Sequence, residues 1–217
     1  WKEIHGIDLQ LPIPCMTYQD AMERYGIDRP DLRFGLELKD VGDIVKDSDF
    51  RVFKSVLDGG GLVKAINGKG AGSLSRAEID RLGEVCTRYG AKGMAWVKIQ
   101  EDKWQGPAAK FFSDEIKARL SERMNLEVGD LLCFVADTFT VANDALAHLR
   151  IALGRQLDLI DEDALAACLG KREIAGAGLD VFRMEPLPTG HPLMGLDNVL
   201  LAPHVGGGGG GGQKGMA

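Results

Sequence analysis

A chain of 217 residues is long enough for one large domain or for one medium domain with appendages. Hydrophobic residues make up 45% of it and charged residues 27%, enough to bury a core, which excludes a chain disordered throughout. The net charge of -6 excludes a protein whose affinity comes chiefly from neutralising nucleic-acid phosphates, and no DNA partner is expected, although a local basic patch stays open.

The first residues, Trp1-Lys2-Glu3-Ile4-His5, have neither the charge nor the apolar stretch of a signal peptide, and the sequence starts without Met and in mid-pattern, as a piece cut from something longer would. Thr17 opens a capping box with Asp20 in the place of the usual Glu, predicting a short helix to Tyr25 that Gly26 stops. Ile27 to Phe34 has a proline and dense alternating charge, and reads as an ordered loop. Arg51 to Leu57 and Gly61 to Ile66 read as two strands joined at Asp58-Gly59-Gly60. Gly68 to Ser73 follows as a glycine-rich loop. Ser75 to Tyr89 is the clearest helix, with a Ser cap, Glu78 three residues on, Ile79, Leu82 and Val85 at helical spacing, and Gly90 as the stop. A strand over Met94 to Ile99, a helix from Ser113 to about Met124, a strand over Asp130 to Ala136 and a helix over Ala142 to Leu153 come next.

After Ile160 the texture changes. Asp161 to Lys171 predicts a short amphipathic helix, Ala175 to Phe182 a buried strand and Val199 to Leu201 another, and the chain closes on the glycine run Gly206 to Gly212. Glycine has the most backbone freedom to lose, so that run predicts a disordered end. The whole order predicts an α+β fold: a two-layer module with a mainly antiparallel sheet and packed helices, plus a short α/β-type tail.

No apolar run reaches the roughly 18 residues a membrane helix needs, so no membrane is expected and the cytoplasm is the expected compartment. Cys15, Cys86, Cys133 and Cys168 form no C-x-x-C pair and read as buried apolar thiols in a reducing environment. His5, His148 and His191 have no metal-ligand spacing, and no metal site is expected.

Met16-Thr17-Tyr18-Gln19-Asp20-Ala21-Met22-Glu23-Arg24-Tyr25-Gly26, then Asp28-Arg29-Pro30-Asp31-Leu32-Arg33-Phe34, closely resembles the stretch with which bacterial-type aspartyl-tRNA synthetases lead into their insertion domain. Tyr89 to Lys98, Gly106 to Phe111, Gly129 to Leu132 and Ala145 to Arg150 continue that pattern in the same order. The resemblance covers about two thirds of the chain and implies the family's insertion fold, a compact α+β module of the type also found beside the catalytic part of an amidotransferase subunit. It implies a parent activity of ATP-dependent, magnesium-assisted charging of tRNA with aspartate, and places Asp28, Arg29, Asp31 and Arg33 near substrate in the parent. Where the family usually has Ser-Asp-Lys-Pro-Asp, this chain has Ile27-Asp28-Arg29-Pro30-Asp31, which keeps the charge of the lysine and changes its donor geometry. The ATP-gripping Phe-Arg-Asp-Glu motif and the Gly-Leu-Asp-Arg motif of a class II synthetase do not occur, nor does an anticodon-binding barrel. The resemblance therefore implies an accessory or structural module that is inactive alone and has at most weak affinity for tRNA, with no cofactor bound.

The end of the chain points elsewhere. Leu159-Ile160-Asp161-Glu162-Asp163-Ala164-Leu165, Ile174 to Pro186 and Asn198 to Gly207 resemble the end of the cofactor domain of a D-2-hydroxyacid dehydrogenase. Carried over, Asp180 would lie beside the nicotinamide, Glu185 would pair with the catalytic histidine, and His204 would be the acid/base, a task suited to a pKa near neutrality. Gln156 stands where the family's carboxylate-gripping arginine belongs, with Arg155 one residue off, and no upstream βαβ unit supplies the glycine fingerprint for NAD. The two patterns share Leu159-Ile160-Asp161-Glu162, so the chain reads as a chimera joined there. The expected divisions are a leading segment over 1–35, the insertion domain over 36–160, a dehydrogenase-like tail over 161–205 and a glycine-rich end over 206–217.

Gly68-Lys69-Gly70-Ala71-Gly72-Ser73 has the look of a phosphate loop, but Ser73 replaces the third glycine, and a flexible loop is the plainer reading. The run Asp28 to Arg33 reads as a local ion-pair loop if it is not substrate-facing. Lys98, Lys103 and Lys110 between Trp96 and Trp104 could form a nucleic-acid face, against half-buried aromatics flanked by snorkelling lysines. Two other functions stay open: a non-catalytic interaction module built on the insertion fold, and a remnant NAD-dependent 2-hydroxyacid oxidoreductase.

Overall fold

Helix α1 (Tyr18–Tyr25) begins where the Thr17 hydroxyl accepts the Asp20 N–H, and ends at Gly26 with φ 74°, whose N–H donates to the Met22 carbonyl. Asp20 is too short to reach the Thr17 backbone; its carboxylate accepts the Thr17 hydroxyl at 2.7 Å instead, so the box closes through side chains. A Cβ at Gly26 would sit 2.5 Å from the Asn143 carbonyl oxygen, so both its φ and its neighbour demand glycine. The computed structural model to which these observations belong describes residues 15–159, 161–180, 182, 184 and 186–202. Those residues divide into two compact units, 15–159 and 161–202.

In the first unit a loop leads from α1 to β1 (Leu38–Asp40), α2 (Gly42–Val45) and α3 (Arg51–Asp58). Residues 51–57 were expected to be a strand, and the structure corrects this. Phe50, Phe53 and Leu57 recur at three- and four-residue intervals, so one helical face turns inward, with Phe53 buried and Val52 53% exposed. The Gly59-Gly60 turn, with φ 79° at Gly60, ends a helix rather than joining a hairpin.

The other elements are β2 (Leu62–Gly68), α4 (Arg76–Arg88), β3 (Ala95–Ile99), α5 (Asp114–Met124), β5 (Leu131–Asp137) and α6 (Phe139–Gln156), in the expected order, with a two-residue β4 (Trp104–Gln105) that was not expected. Ser75 and Glu78 form the full reciprocal box at α4, and Ser113 caps α5. The sheet runs β1-β2-β5-β3-β4, antiparallel throughout, with Leu62 opposite Asp137 and Gly68 opposite Leu131 in the central pair.

The α+β class and the antiparallel sheet are those expected, and helices cover both faces, one layer more than the two expected. On one face Ile66, Trp96, Cys133 and Val135 meet α4 and α6; on the other Val63, Val97, Leu132 and Phe134 meet α2, α3 and α5. The apolar run of β5, and a β2 buried along nearly its whole length even at Lys64 and Asn67, are what a sheet covered on both faces requires.

The second unit holds α7 (Glu162–Gly170), β6 (Ala177–Leu179), a 3-10 turn at Pro192–Gly195 and β7 (Val199–Leu201). Its two strands are parallel, with Ala177 opposite Val199, and its core is Ala166, Leu169, Leu179, Phe182 and Leu193. Of the strand expected over 175–182, the described part is strand only at 177–179, because its one partner is itself three residues long. The glycine-rich end lies outside the described residues.

Candidate functional site

The loop of residues 27–37 carries four of the residues singled out by sequence. Asp31 and Arg33 brace each other: the Arg33 guanidinium donates to the Asp31 carboxylate at 2.9, 3.1 and 2.6 Å, and the Arg33 N–H donates to it at 3.0 Å. Burial pushes the Asp31 pKa up, but the hydrogen bonds and charge of Arg33 outweigh it and hold the carboxyl below its ordinary value. Asp28 and Arg29 lie 3.8 Å apart with more than half of each side chain exposed.

The loop is anchored by a residue that the sequence reading passed over. Arg150, on α6, is 2% exposed, and its guanidinium donates to the carbonyl oxygens of Asp31 (2.8 Å), Phe34 (2.7 Å), Gly35 (2.8 Å) and Leu36 (3.1 Å). It lies against the rings of Tyr25 and Phe34, at 4.8 and 4.1 Å from their centres. Burial lowers its pKa from the ordinary arginine value, against the pull of Asp31, Tyr25 and Glu37. Guanidinium stays charged at any physiological pH, so a full cation is held by main-chain dipoles and π-faces. Its spacing carried a signal: Leu146, Leu149, Arg150 and Leu153 fall at i, i+3, i+4 and i+7, which puts Arg150 on the apolar face of α6.

A second buried cation ties down α1. Lys64, on β2, donates to the Met22 and Glu23 carbonyls in the last turn of α1 at 3.1 and 3.0 Å, and to Asn143 Oδ1 at 2.7 Å. Burial lowers its pKa, while Asp40 and Glu23 act in the opposite direction.

The glycine-rich loop expected to be flexible is ordered, and its own protein supplies the anion. Asp130 accepts from Gly70 N at 3.0 Å, Glu127 N at 2.9 Å and Asn67 Nδ2 at 2.8 Å, while Gly72 N donates to the Gly129 carbonyl at 2.7 Å. Lys69 spans Asp130, Glu127 and the Asn125 carbonyl. The Gly70 and Gly72 amides, which a phosphate would need, are in use. The lysine and tryptophan face is also undone by the sheet: Trp96 packs into one core and Trp104 against the other, on opposite faces. Lys98 caps the Leu74 carbonyl, and Lys110 lies over the Phe111 ring. Beside β3, an open depression of about 430 Å³ is lined by Lys98, Gln100, Lys103, Val128 and Gly129 among others.

Two of the four cysteines, Cys86 and Cys133, are buried as expected; Cys15 is exposed and Cys168 half-buried, which corrects the reading for those two. Among the described residues no cluster of three or more His, Cys, Asp or Glu side chains converges as metal ligands would. No described helix is long and apolar enough to cross a membrane.

Of the dehydrogenase-like residues, Asp180 follows β6 in the second unit, while Glu185 and His204 lie outside the described residues. Gly176 stands 2.8 Å, measured from an added Cβ, from the Asn198 carbonyl, where strand meets loop. Gly176 precedes and Gly178 lies within β6, and neither forms the strand-to-helix turn that cradles a pyrophosphate. His191 instead has a structural part: its Nδ1 accepts the Leu193 N–H and its Nε2 lies 3.6 Å from Glu162.

The α+β module and the second unit each carry a stretch that matches a family model. Residues 53–146 match the GAD domain, and residues 151–206 match the NAD binding domain of D-isomer specific 2-hydroxyacid dehydrogenases. Among individual proteins, the chain is 56% identical over 162 residues to the aspartate–tRNA ligase of Bacillus licheniformis, covering 74% of this chain and 27% of that protein. It is 51% identical over 164 residues to the aspartate–tRNA(Asp/Asn) ligase of Desulfatibacillum aliphaticivorans, and 53% over 166 residues to the aspartate–tRNA ligase of Geobacillus kaustophilus. Those alignments cover 75% and 76% of this chain and 28% of each relative, so the chain spans little more than a quarter of the ligases it resembles. The dehydrogenase match begins inside α6, ahead of the boundary between the two units.

Proposed function

We propose that residues 15–159 are the accessory module of an aspartate–tRNA ligase, a structural and tRNA-proximal part that does not charge tRNA by itself. The observation that carries this reading is the identity of 51 to 56% to such ligases over three quarters of the chain. The clamped loop supports it further: Asp28 and Arg29 project from the module on a rigid base, as residues would that face substrate or tRNA in a larger enzyme. The ATP-gripping arginine motif does not occur in this sequence, which supports a part that does not charge tRNA by itself.

Fluorescence anisotropy with an aspartate-specific tRNA transcript, over a series of salt concentrations, tests the reading. Weak binding that falls steeply with salt is expected, as for a surface that touches a few phosphates. Pyrophosphate exchange with aspartate, ATP and magnesium is expected to stay at background. Exchange above background would overturn the inactive-module reading, and salt-independent absence of tRNA binding would leave only a structural part.

The match over 151–206 favours a second reading, a remnant 2-hydroxyacid oxidoreductase with Asp180, Glu185 and His204 in the roles given above. Titrating NADH while following its fluorescence tests it. No change is expected, because the described part of the unit lacks a pyrophosphate cradle.

A further inference from the structure

We propose that Arg150 is a positioning residue that sorts the four charged residues of the loop into two roles: Asp31 and Arg33 as part of its base, Asp28 and Arg29 as the presented pair. The inference rests on the reading of this loop as tRNA- or substrate-facing and assigns a division of labour within it.

The loop has no secondary structure to fix it. Backbone carbonyls that turn inward without a ladder partner need donors, and leaving them unpaired is costly. Arg150 supplies donors to four of them, from Asp31 to Leu36, through one planar group held between two rings. Lysine offers a point charge on a flexible stem and cannot match that fork. The same loop is braced at its centre by the Asp31–Arg33 pair, whose carboxylate already accepts the guanidinium and the backbone N–H. Asp31 is therefore engaged twice, by its carboxylate and by its carbonyl. Asp28 and Arg29 lie outside this brace, 55% and 59% exposed, with Pro30 restricting the backbone between them and Asp31. Phe34 completes the base: its ring lies under the guanidinium and against Gly154 one turn further along α6, where a Cβ would come within 2.9 Å. Arg29 is thus the cation this loop offers to an anionic partner, and Arg150 acts through the backbone to hold it there.

Hydrogen exchange with mass spectrometry on the intact chain tests this, using wild type, Arg150→Lys, Arg150→Gln and Arg29→Gln. Exchange in peptides covering 27–37 is expected to rise at least tenfold in Arg150→Gln and by less in Arg150→Lys, with the peptides of β2 and β5 unchanged. Arg29→Gln is expected to leave exchange at 31–36 as it is and to lower tRNA affinity in the same anisotropy assay. Unchanged exchange at 27–37 in both Arg150 variants, or an equal rise across all peptides, would overturn the positioning role. So would faster exchange at 31–36 in Arg29→Gln, because Arg29 would then belong to the base. If wild type binds no tRNA, the tRNA reading fails while the exchange result still decides whether Arg150 positions the loop.

Discussion

Asp130 shows how much one carboxylate can organise. It accepts from two backbone amides and a side-chain amide, with Lys69 beside it, and so joins the turn after β2 to the turn before β5. Asp130→Ala leaves those donors without their acceptor and is expected to lower stability by about 2–4 kcal/mol, read from urea unfolding. Burial pushes the Asp130 pKa up, but the donors more than reverse that, and the carboxyl sits below its ordinary value. A depressed folded pKa gives stability that is present above the unfolded value of about 4 and lost as pH falls through the folded one. Asp130→Asn should therefore flatten the acid limb of the stability profile below about pH 4, and an unchanged limb would count against it. At the thiols burial acts alone in the main: Cys86 is pushed up to about 12, and Cys133 is raised by burial and by Cys86 beside it. Both are expected to resist iodoacetamide at neutral pH until denaturant is added, a point that peptide mapping settles directly.

At the scale of elements, two helical glycines make opposite predictions. Gly83 on α4 has its nearest neighbour, the Met94 methyl, at 4.0 Å from an added Cβ, so Gly83→Ala should gain about 0.5–1 kcal/mol from helix propensity. Gly154 on α6 would push its Cβ to 2.9 Å from the Phe34 ring, and Gly154→Ala should instead cost about 1–3 kcal/mol by overpacking. For α3, Phe53→Ala should cost about 3–5 kcal/mol while Val52→Glu stays within about 0.5 kcal/mol, the signature of a helix with one buried face. Where capping residues spoke, as at Thr17, Ser75 and Ser113, the elements were legible, since a cap is a local contact between residues three apart. The helix over 51–58 was not, because a short apolar run beside Gly-Gly fits two periods and only the tertiary face chooses. β1, α2 and β4 are too short to leave a period at all. The loop's charged residues were visible, whereas Arg150 and Lys64 do their work through partners 114 and 42 residues away in sequence, a distance no local pattern spans.

Across the whole molecule, the first unit has two large cores back to back through the sheet, and the second has one small core of five buried residues. Among the described residues none belongs to the cores of both units, so ending the chain after Leu159 is expected to leave the melting transition of the first unit in place. Calorimetry of both lengths tests this; a fall of several degrees in the shorter chain would mean that the second unit stabilises the first. The central strand pair has a further consequence. β2 finds its partner β5 only across α4, β3, β4 and α5, and it is buried along nearly its whole length. Closing so long a stretch of chain is an entropic cost that comes before the contacts reward it, which makes the β2–β5 pairing a slow step of folding. A chain growing from its first residue would carry β2 with β1 on one edge and the other edge open until β5 has been made, and during synthesis that edge is the one in need of shelter from other chains.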